Sequence, residues 1–159
     1  MTLHLVRHGS AGSRNPGDPT DTERHLDIRG LAQAEAVADR LGSSGLTRVL
    51  SSPLPRCMET IGPLADRYRL EVEPQEALRE GADPGLTWAL LEQLAHTEAA
   101  ICSHGDVIPE MLARSEARGT RIGEPRGFSK GSIWSLSEWT GTHFDRAVWI
   151  PCRAASPTT

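Results

Sequence analysis

Three segments of the sequence place arginine or histidine where these side chains could act on phosphate. Arg7-His8-Gly9 is one, Ser51-Ser-Pro-Leu-Pro-Arg56 is the second, and Ser103-His-Gly-Asp106 is the third. Two guanidinium groups can cover a tetrahedral dianion in bidentate fashion, and a neutral imidazole can attack phosphorus to give a phosphohistidine. Phosphoryl transfer requires in-line positioning and stabilisation of charge on the phosphoryl oxygens, which Arg7, Arg56 and a protonated His104 could supply.

Release of an alcohol from a phosphate ester also needs a general acid, which can later act as the base for water. Glu80 is the best candidate because it lies in Leu78-Arg-Glu-Gly81, just before a helix-capping Asp-Pro pair. Asp18 and Asp21, in the loop after the first histidine, are the alternatives. Ordinary turn usage favours a role for these two aspartates in shaping the loop.

Further donors follow the Arg-His-Gly triplet or precede a late strand. Ser10, Arg14 and Asn15 could contact the phosphate or a longer substrate, and Arg14 is the most attractive of them. Lys130 opens a late strand and could reach a second phosphate, although an exposed lysine is common at such a position. These residues are predicted to bind substrate.

The sequence predicts neither a metal site nor an organic cofactor. His4 and His8 lie four residues apart, but no carboxylate or cysteine at ligand spacing accompanies them. The chain has no G-x-x-x-x-G-K and no G-x-G-x-x-G motif for nucleotide binding.

The elements that must position these side chains are short apolar runs that alternate with helical patterns. The predicted strands are Thr2–Val6, Arg48–Leu50, Leu70–Glu73, Ala99–Cys102, Ser132–Glu138 and Asp145–Ile150. Residues 10–25 are rich in Ser, Gly, Pro, Asp and Thr, which predicts a loop. The last two strands are joined too tightly for a crossover helix, so at least one of them should be antiparallel.

Four helices are predicted between these strands. Asp27 caps the first helix, which Gly42 ends, and the residues expected on its buried face are Leu31, Ala34, Ala38 and Leu41. The second covers 54–68 and should be interrupted at Gly62-Pro63. The third begins at Asp83-Pro84 and carries Leu86, Leu90 and Leu94, and the fourth runs from Asp106 to about Arg118.

Strand–helix alternation of this kind predicts one three-layer α/β/α domain with a mostly parallel sheet. We expect this domain to cover residues 1–152 and residues 153–159 to form a frayed tail. Ligands bind at the carboxyl ends of strands in open α/β sheets. If the three relevant strands are neighbours, two arginines and two histidines therefore converge at one place.

Composition narrows the class of protein. The chain has 159 residues, a net charge of −4, and sixteen arginines against the single lysine Lys130. This balance does not favour a nucleic-acid binder, and the longest segment without a charged side chain is too short to span a bilayer. The three cysteines are widely spaced, which favours a reducing, cytoplasmic setting over a disulfide framework. A free sheet edge makes a dimer possible.

The motifs also resemble those of a known family, the histidine phosphatase superfamily, also called phosphoglycerate-mutase-like. The matching segments are Leu5-Val-Arg-His-Gly9, Asp27-Ile-Arg-Gly-Leu-Ala-Gln33, Leu50–Arg56, Leu78-Arg-Glu-Gly81 and Cys102-Ser-His-Gly-Asp106. The resemblance implies a sheet flanked by helices and no metal or cofactor. It also implies His8 as the phosphorylated nucleophile, Arg7, Arg56 and His104 as the phosphate pocket, and Glu80 as the general acid.

Length separates the branches of this family. Only 47 residues lie between Arg56 and His104, which leaves no room for the large cap of phosphoglycerate mutases. The chain is similar to small SixA-type phosphohistidine phosphatases and to the compact histidine phosphatase domain found behind a Nudix domain. It differs from the SixA-like pattern at His25 and in its clear Glu80 segment, which favours phosphate esters or nucleotides over phosphohistidine proteins as substrates. A non-catalytic phosphate-binding or phosphopeptide-binding module and a mutase are the alternative functions.

Overall fold

The computed structural model describes residues 1–154, and residues 155–159 of the predicted tail lie outside it. Its strands are β1 (Thr2–Arg7), β2 (Arg48–Ser51), β3 (Val72–Pro74), β4 (Ala99–Ser103), β5 (Arg121–Ile122), β6 (Ile133–Trp139) and β7 (Phe144–Ile150). Its helices are α1 (Ile28–Leu41), α2 (Pro55–Tyr68), α3 (Pro84–Gln93) and α4 (Val107–Ala117), with short 3₁₀ turns at Asp21–Glu23 and Glu76–Leu78. Among these described residues no helix is long and apolar enough to cross a bilayer.

The strands form one seven-stranded mixed sheet in the order β3-β2-β4-β1-β6-β7-β5. Strands β3, β2, β4 and β1 run parallel, and β6 is antiparallel to both β1 and β7. The predicted mostly parallel sheet with an antiparallel late strand is therefore confirmed. The short strand β5, which pairs with the edge of β7, carries no apolar alternation long enough to predict.

Helices cover both faces of the sheet, because side chains alternate along each strand. On one face Leu3 and Leu5 belong to a core with residues of α3 and α4, among them Leu91, Ile108 and Met111. On the other face Val6 belongs to a core with residues of α1 and α2, among them Val37, Leu41, Ile61 and Leu64. This confirms the predicted three layers.

The face that α1 buries agrees with the prediction at Ala34, Ala38 and Leu41 and differs from it at Leu31. Asp27 caps the helix as expected, and its carboxylate accepts the Gly30 N–H at 2.8 Å. Leu31, however, is 54% exposed. Gly30 packs against the Ser10 carbonyl so closely that a Cβ would not fit, and this contact turns the helix so that Gly30 and Gln33 face inward. Leu31 consequently faces outward.

Two further helix predictions are wrong. Leu86 of α3 is 63% exposed, because the Thr87 hydroxyl donates to the Ala77 carbonyl at 2.6 Å and turns Thr87 and Trp88 inward instead. Helix α2 continues through Pro63 without a break. Burial of Ile61 and Leu64 on either side of the proline offsets the one backbone hydrogen bond that proline cannot donate.

Candidate active site

The predicted convergence at the carboxyl edge of the sheet is present. Strands β2, β4 and β1 are adjacent, so the residues that follow them share one end of the sheet. His8 is 6% exposed, and Arg56 and His104 are each 1% exposed. The rings of His8 and His104 meet edge to face with centroids 5.3 Å apart. The result is a cluster of two imidazoles and two guanidinium groups, those of Arg7 and Arg56, which we call the His8 pocket.

One ring nitrogen of His8 is committed and the other is available. Its Nδ1 hydrogen is donated to the Gly9 carbonyl at 2.8 Å, which leaves the lone pair on Nε2. Burial lowers the pKa of His8 to about 4; the Gly9 carbonyl opposes that shift, and the charges of Arg56 and Arg7 add to it. The imidazole is therefore neutral near pH 7, as a nucleophile toward phosphorus must be.

The backbone beside His8 is held on both sides. The Gly9 N–H donates to Thr60 Oγ1 at 2.9 Å, and the Thr60 hydroxyl donates to the Arg56 carbonyl at 2.6 Å. A Cβ at Gly9 would lie 3.0 Å from the Gly30 carbonyl oxygen, so this glycine serves close packing against α1. Sequence reasoning missed Thr60, although its position four residues after Arg56 places both on one face of α2.

The two arginines present buried donors that have no protein acceptor. Arg56 Nη2 contacts Glu80 Oε2 at 3.0 Å, whereas its Nε and Nη1 have no partner among residues 1–154. Arg7 donates from Nη1 to the Phe128 carbonyl at 2.8 Å and leaves Nε without a partner in the same part of the chain. Burial lowers the pKa of Arg7. Since buried donors are normally paired, these groups mark the place of an anionic ligand.

Gly105 leaves room for the Arg7 guanidinium because it has no side chain. A Cβ on Gly105 would lie 2.9 Å from Arg7 Nη2 and 3.0 Å from its central carbon. Gly9 and Gly105 thus both allow close approach between segments of the protein.

His104 is neutral in the free site. Its Nε2 forms a hydrogen bond of 2.8 Å with Ser52 Oγ, and its Nδ1 lies 3.5 Å from Arg56 Nη2. Burial, followed by the charges of His8, Arg56 and Arg7, lowers the pKa of His104 to about 3. Burial among cations disfavours a further positive charge on His104 in the free site, and a protonated His104 beside bound phosphate stays a prediction.

Glu80 lies at the mouth of this pocket. The Ser103 hydroxyl donates to the Leu78 carbonyl at 2.7 Å, and the Gly81 N–H donates to the Asp106 carboxylate at 2.8 Å, so the turn is fixed on both sides of Glu80. The Glu80 side chain is 32% exposed and pairs with Arg56 and, at 3.7 Å, with Arg14. Its carboxylate thus bridges a buried cation and an exposed one.

The two alternative acids each use one carboxylate oxygen, Oδ1, within their own loop. Asp18 accepts both the N–H and the hydroxyl of Thr20, each at 2.8 Å. Asp21 accepts the Asn15 N–H at 2.7 Å and pairs with Arg24 at 3.0 Å. The hydrogen bond from the Thr20 N–H is the main cause that lowers the pKa of Asp18, and the bond from the Asn15 N–H is the main cause that lowers the pKa of Asp21. Both bonds stabilise the ionised carboxylate.

The predicted substrate-binding residues occupy different places. Arg14 and Asn15 are exposed on the loop, and Arg14 reaches Glu80. The Ser10 hydroxyl donates to Asp27 at 2.7 Å, and the Ser10 N–H donates to Gln33 at 2.7 Å. Ser10 and Lys130 line a neighbouring cavity. Within residues 1–154 no group of three or more His, Cys, Asp or Glu side chains is arranged to hold a metal ion.

Comparison with known proteins agrees with this geometry. The model of the histidine phosphatase superfamily (branch 1) matches residues 3–96, more than half of the chain and a range that includes His8, Arg56 and Glu80. The chain is 36% identical over 141 residues to an 8-oxo-(d)GTP phosphatase of Mycolicibacterium smegmatis. That match covers 86% of this chain and 44% of the relative, so the chain spans less than half the relative's length.

Solved structures share the fold. The protein histidine phosphatase SixA complexed with tungstate superposes with a TM-score of 0.73 at 23% identity, covering 94% of each chain. A mycobacterial glucosyl-3-phosphoglycerate phosphatase complexed with VO3 gives a TM-score of 0.69 at 20% identity, covering 94% of this chain and 96% of that one. The fold, the family model and the phosphatase relatives lead to one conclusion: the chain belongs to the histidine phosphatase superfamily.

Proposed function

We propose that the protein is a phosphatase that hydrolyses phosphomonoesters through a phosphohistidine on His8. One observation carries the proposal: the Nδ1 hydrogen of His8 is bound to the Gly9 carbonyl at 2.8 Å, so Nε2 offers its lone pair beside guanidinium donors that lack a partner within residues 1–154. A buried neutral imidazole facing unpaired cationic donors is suited to attack a bound phosphate dianion.

In the first step, His8 Nε2 forms a bond to phosphorus and the phosphorus–oxygen bond to the alcohol breaks. Arg56 and Arg7 donate to the phosphoryl oxygens from the groups that are unpaired in the free site. His104 Nε2 shares a hydrogen bond with Ser52 Oγ, and in the tautomer in which the serine hydroxyl donates, His104 carries its hydrogen on Nδ1 and can donate it to the third oxygen once phosphate binds. The neutral state of His104 is compatible with this role, since a neutral imidazole still has one N–H donor.

Glu80 supplies the proton that the departing alcohol needs. In the free site its carboxylate pairs with Arg56 Nη2, and the substrate dianion competes for that same group. The carboxyl group released from Arg56 takes a proton from solvent and then passes it to the alkoxide oxygen as the phosphorus–oxygen bond breaks. The acid then stands at the pocket mouth, where the alcohol portion of the ester leaves.

In the second step, water attacks the phosphorus and the bond to His8 Nε2 breaks. The Glu80 carboxylate takes a proton from the water, so the acid of the first step is the base of the second. Inorganic phosphate leaves and the pair between Arg56 and Glu80 forms again. These steps need only the side chains of the pocket and call for no metal or organic cofactor.

The position of Glu80 favours esters over phosphohistidine proteins as substrates. An alkoxide is a poor leaving group and needs a proton, whereas the imidazole of a phosphohistidine is a better one. The name of the relative that matches over most of this chain, an 8-oxo-(d)GTP phosphatase, supports nucleotide phosphates within this class. The proposed substrates are therefore phosphorylated small molecules, nucleotides included.

An aryl phosphate assay tests the proposal directly. We expect His8→Ala to lower kcat by at least about a thousandfold, since the covalent step is lost. His96→Ala is the matched control, because His96 is exposed and precedes β4 at the opposite edge of the sheet. Absence of turnover by the unmodified protein across a broad pH range, with phosphate binding retained, would instead favour a non-catalytic binding module.

Quenching with labelled substrate tests the intermediate. A phosphohistidine is labile in acid and stable in alkali, so we expect trapped label with that behaviour in the unmodified protein. The His8→Ala variant should retain none. Label that persists in this variant would assign the nucleophile to another residue.

A further inference from the structure

A second cavity with cationic walls lies beside the His8 pocket. It has a volume of about 330 Å³ and is lined by Ser10, Arg29, Gln33, Ser129 and Lys130, together with residues of the carboxyl-terminal segment. Arg29 belongs to the first turn of α1, and Lys130 lies just before β6, a hundred residues later in the chain. The fold therefore brings two distant cations to one small space.

These cations are not neutralised by carboxylates. In the part of the chain from residue 1 to residue 154, neither Arg29 nor Lys130 forms an ion pair. Burial, then the like charges of Arg7, Arg24 and Arg29, lower the pKa of Lys130. An anion placed among these groups would relieve their mutual repulsion.

Asp27 is the carboxylate that faces this group of cations, and it is already engaged. Its two oxygens accept hydrogen bonds from the Ser10 hydroxyl at 2.7 Å, the Gly12 N–H at 3.1 Å and the Gly30 N–H at 2.8 Å. It opposes the lowering of the Lys130 pKa without coming within ion-pair distance of the lysine. The cavity thus keeps its positive charge.

A buried neutral donor adds to the two charges. Gln33 is 7% exposed, and its Oε1 accepts the Ser10 N–H at 2.7 Å. That bond fixes the amide and leaves its NH₂ group as the part that can contact a ligand in the cavity. The lining therefore offers an ammonium, a guanidinium and an amide donor, a set that suits phosphate oxygens.

The cavity lies beside the end of β1, the strand that His8 follows. Ser10 follows His8 by two residues, and the Gly131 N–H donates to the Arg7 carbonyl at 3.0 Å, which holds Lys130 beside the end of β1. The charge of Lys130 also contributes to the lowered pKa of His8. Field effects of this kind require proximity.

We propose that this cavity, with Arg29, Lys130 and Gln33, binds a second phosphate group of the substrate while His8 attacks the first. The inference rests on the proposed function and narrows its substrate class to compounds with two phosphates. The two phosphates are either consecutive, as in a nucleoside diphosphate attacked at its terminal phosphate, or on separate carbons, as in a sugar bisphosphate. Both present the same chemistry to the cavity.

Paired substrates test this assignment. The assay compares kcat/KM for a nucleoside monophosphate with its diphosphate, and for a hexose 1-phosphate with the 1,6-bisphosphate. In Lys130→Gln and in Arg29→Gln we expect the preference for the two-phosphate member of one pair to fall by about tenfold, mainly through KM, because a charge-assisted hydrogen bond is lost. The pair that responds identifies the arrangement of phosphates.

Arg40→Gln is the matched control, since it removes the same charge from the opposite end of α1. It should retain the preference of the unmodified protein. An unchanged preference in Lys130→Gln and Arg29→Gln would overturn the proposal. So would an equal loss on one-phosphate and two-phosphate substrates, because that result would assign the residues to the His8 pocket.

A binding measurement separates this inference from the proposed function. If the unmodified protein hydrolyses none of the substrates, the proposed function fails, and calorimetry with inorganic pyrophosphate on His8→Ala then tests the cavity. A Kd about tenfold higher in His8→Ala/Lys130→Gln would retain the cavity as a binding site. An unchanged Kd would reject it.

Discussion

Polar side chains in the floor of the pocket and in the loop at its rim differ in whether they have hydrogen-bond partners. The floor, defined as Arg7, His8, Arg56 and His104, is buried, and its guanidinium groups hold donors without partners in the described part of the chain. The rim loop, residues 10–27, is mostly exposed, yet each of its three aspartates accepts hydrogen bonds from neighbouring N–H, hydroxyl or guanidinium groups. Within residues 1–154 the arginines of the floor thus keep buried donors without a partner, whereas the aspartates of the rim are hydrogen-bonded where water is also available.

This difference separates residues whose donors are free to bind a ligand from residues whose hydrogen bonds stabilise the loop. Burying unpaired donors costs free energy, which is recovered only when an anion binds. Asp18 and Asp21, by contrast, each already accept two contacts within the loop through Oδ1. Catalytic groups are therefore expected among the floor residues and at Glu80, which connects the floor to the rim.

The largest expected effect comes from replacing the buried guanidinium of the floor with an apolar side chain. Arg56→Met should lower kcat/KM for an aryl phosphate by about a thousandfold or more, since the charge that stabilises the transferring phosphoryl group is lost. The same variant should raise the free energy of unfolding by about 1 kcal/mol or more, because a desolvated charge with unpaired donors is removed. Steady-state kinetics and urea unfolding measure the two quantities.

Asp18→Ala on the rim serves as the counterpart. It should lower the Tm slightly, because the turn at Thr20 loses its acceptor, and it should change kcat/KM by less than about threefold. A loss of stability in Arg56→Met together with a large loss of activity in Asp18→Ala would reverse the assignment of the two regions.

The next largest effect concerns the choice between Glu80 and the rim aspartates as the general acid. Glu80→Gln should lower kcat for an alkyl phosphate by about a hundredfold and kcat for a p-nitrophenyl phosphate by much less, since only the poor leaving group needs a proton. Asp21→Asn should lower both rates to the same small extent. The ratio of the two rates, measured for each variant, decides between the residues.

Equal losses for good and poor leaving groups in Glu80→Gln would assign the proton to another donor. Selective loss for the poor leaving group in Asp21→Asn would give the role to the rim. Glu76→Gln is a suitable control, because Glu76 is exposed in the turn before Glu80 and pairs only with Arg79 in the described structure.

The smallest effect is a difference in the pH range in which each region contributes to stability. Burial is the main cause that lowers the pKa of His8 to about 4 and of His104 to about 3. The pKa of a histidine in an unfolded chain is about 6.5. As the pH falls below that value, the unfolded state therefore binds protons that the folded state does not bind. The free energy of unfolding should therefore decrease from about pH 6.5 to about pH 4.

The carboxyl groups of Asp18 and Asp21 act in a lower range. Their pKa values are lowered by hydrogen bonds, so their stabilising effect is complete above about pH 4 and is lost only as the pH falls further. In urea unfolding, His104→Asn should weaken the pH dependence between pH 6.5 and 4 by on the order of 1 kcal/mol, and Asp18→Asn should leave that range unchanged. An unchanged slope in His104→Asn would contradict the buried neutral histidine.

Much of the floor could be predicted from the sequence because strand ends are local features. Arg7 and His104 each come at or directly after an apolar run, and Arg56 follows another within the first turn of a helix. Parallel strands end at one edge of a sheet, so adjacency of β1, β2 and β4 was enough to bring these side chains together. Glu80 could be predicted for the same reason, because it belongs to a turn just before a capped helix.

Other features depend on contacts between distant segments and left no local signal. Leu31 and Leu86 fit their helical patterns but are exposed, where Gly30 packs against Ser10 and Thr87 bonds to Ala77. The other residues predicted on these two faces are buried: Ala34, Ala38, Leu41, Leu90 and Leu94. The neutral state of His104 also comes from burial among cations from three other segments. Apolar spacing describes a helix face, whereas the rotation of that face is set by what packs against it.

The sequence by itself determined the fold class, the family resemblance and the residues of the floor, because periodicity and motif order are local properties of the chain. Only the tertiary structure decided which donors stay unpaired, which carboxylates are already engaged, and that Arg29 and Lys130 share a cavity. The physical reason is that hydrogen-bond satisfaction and desolvation depend on every segment that surrounds a group. A residue's type and spacing therefore indicate what it can do, and its surroundings determine whether it is free to do it.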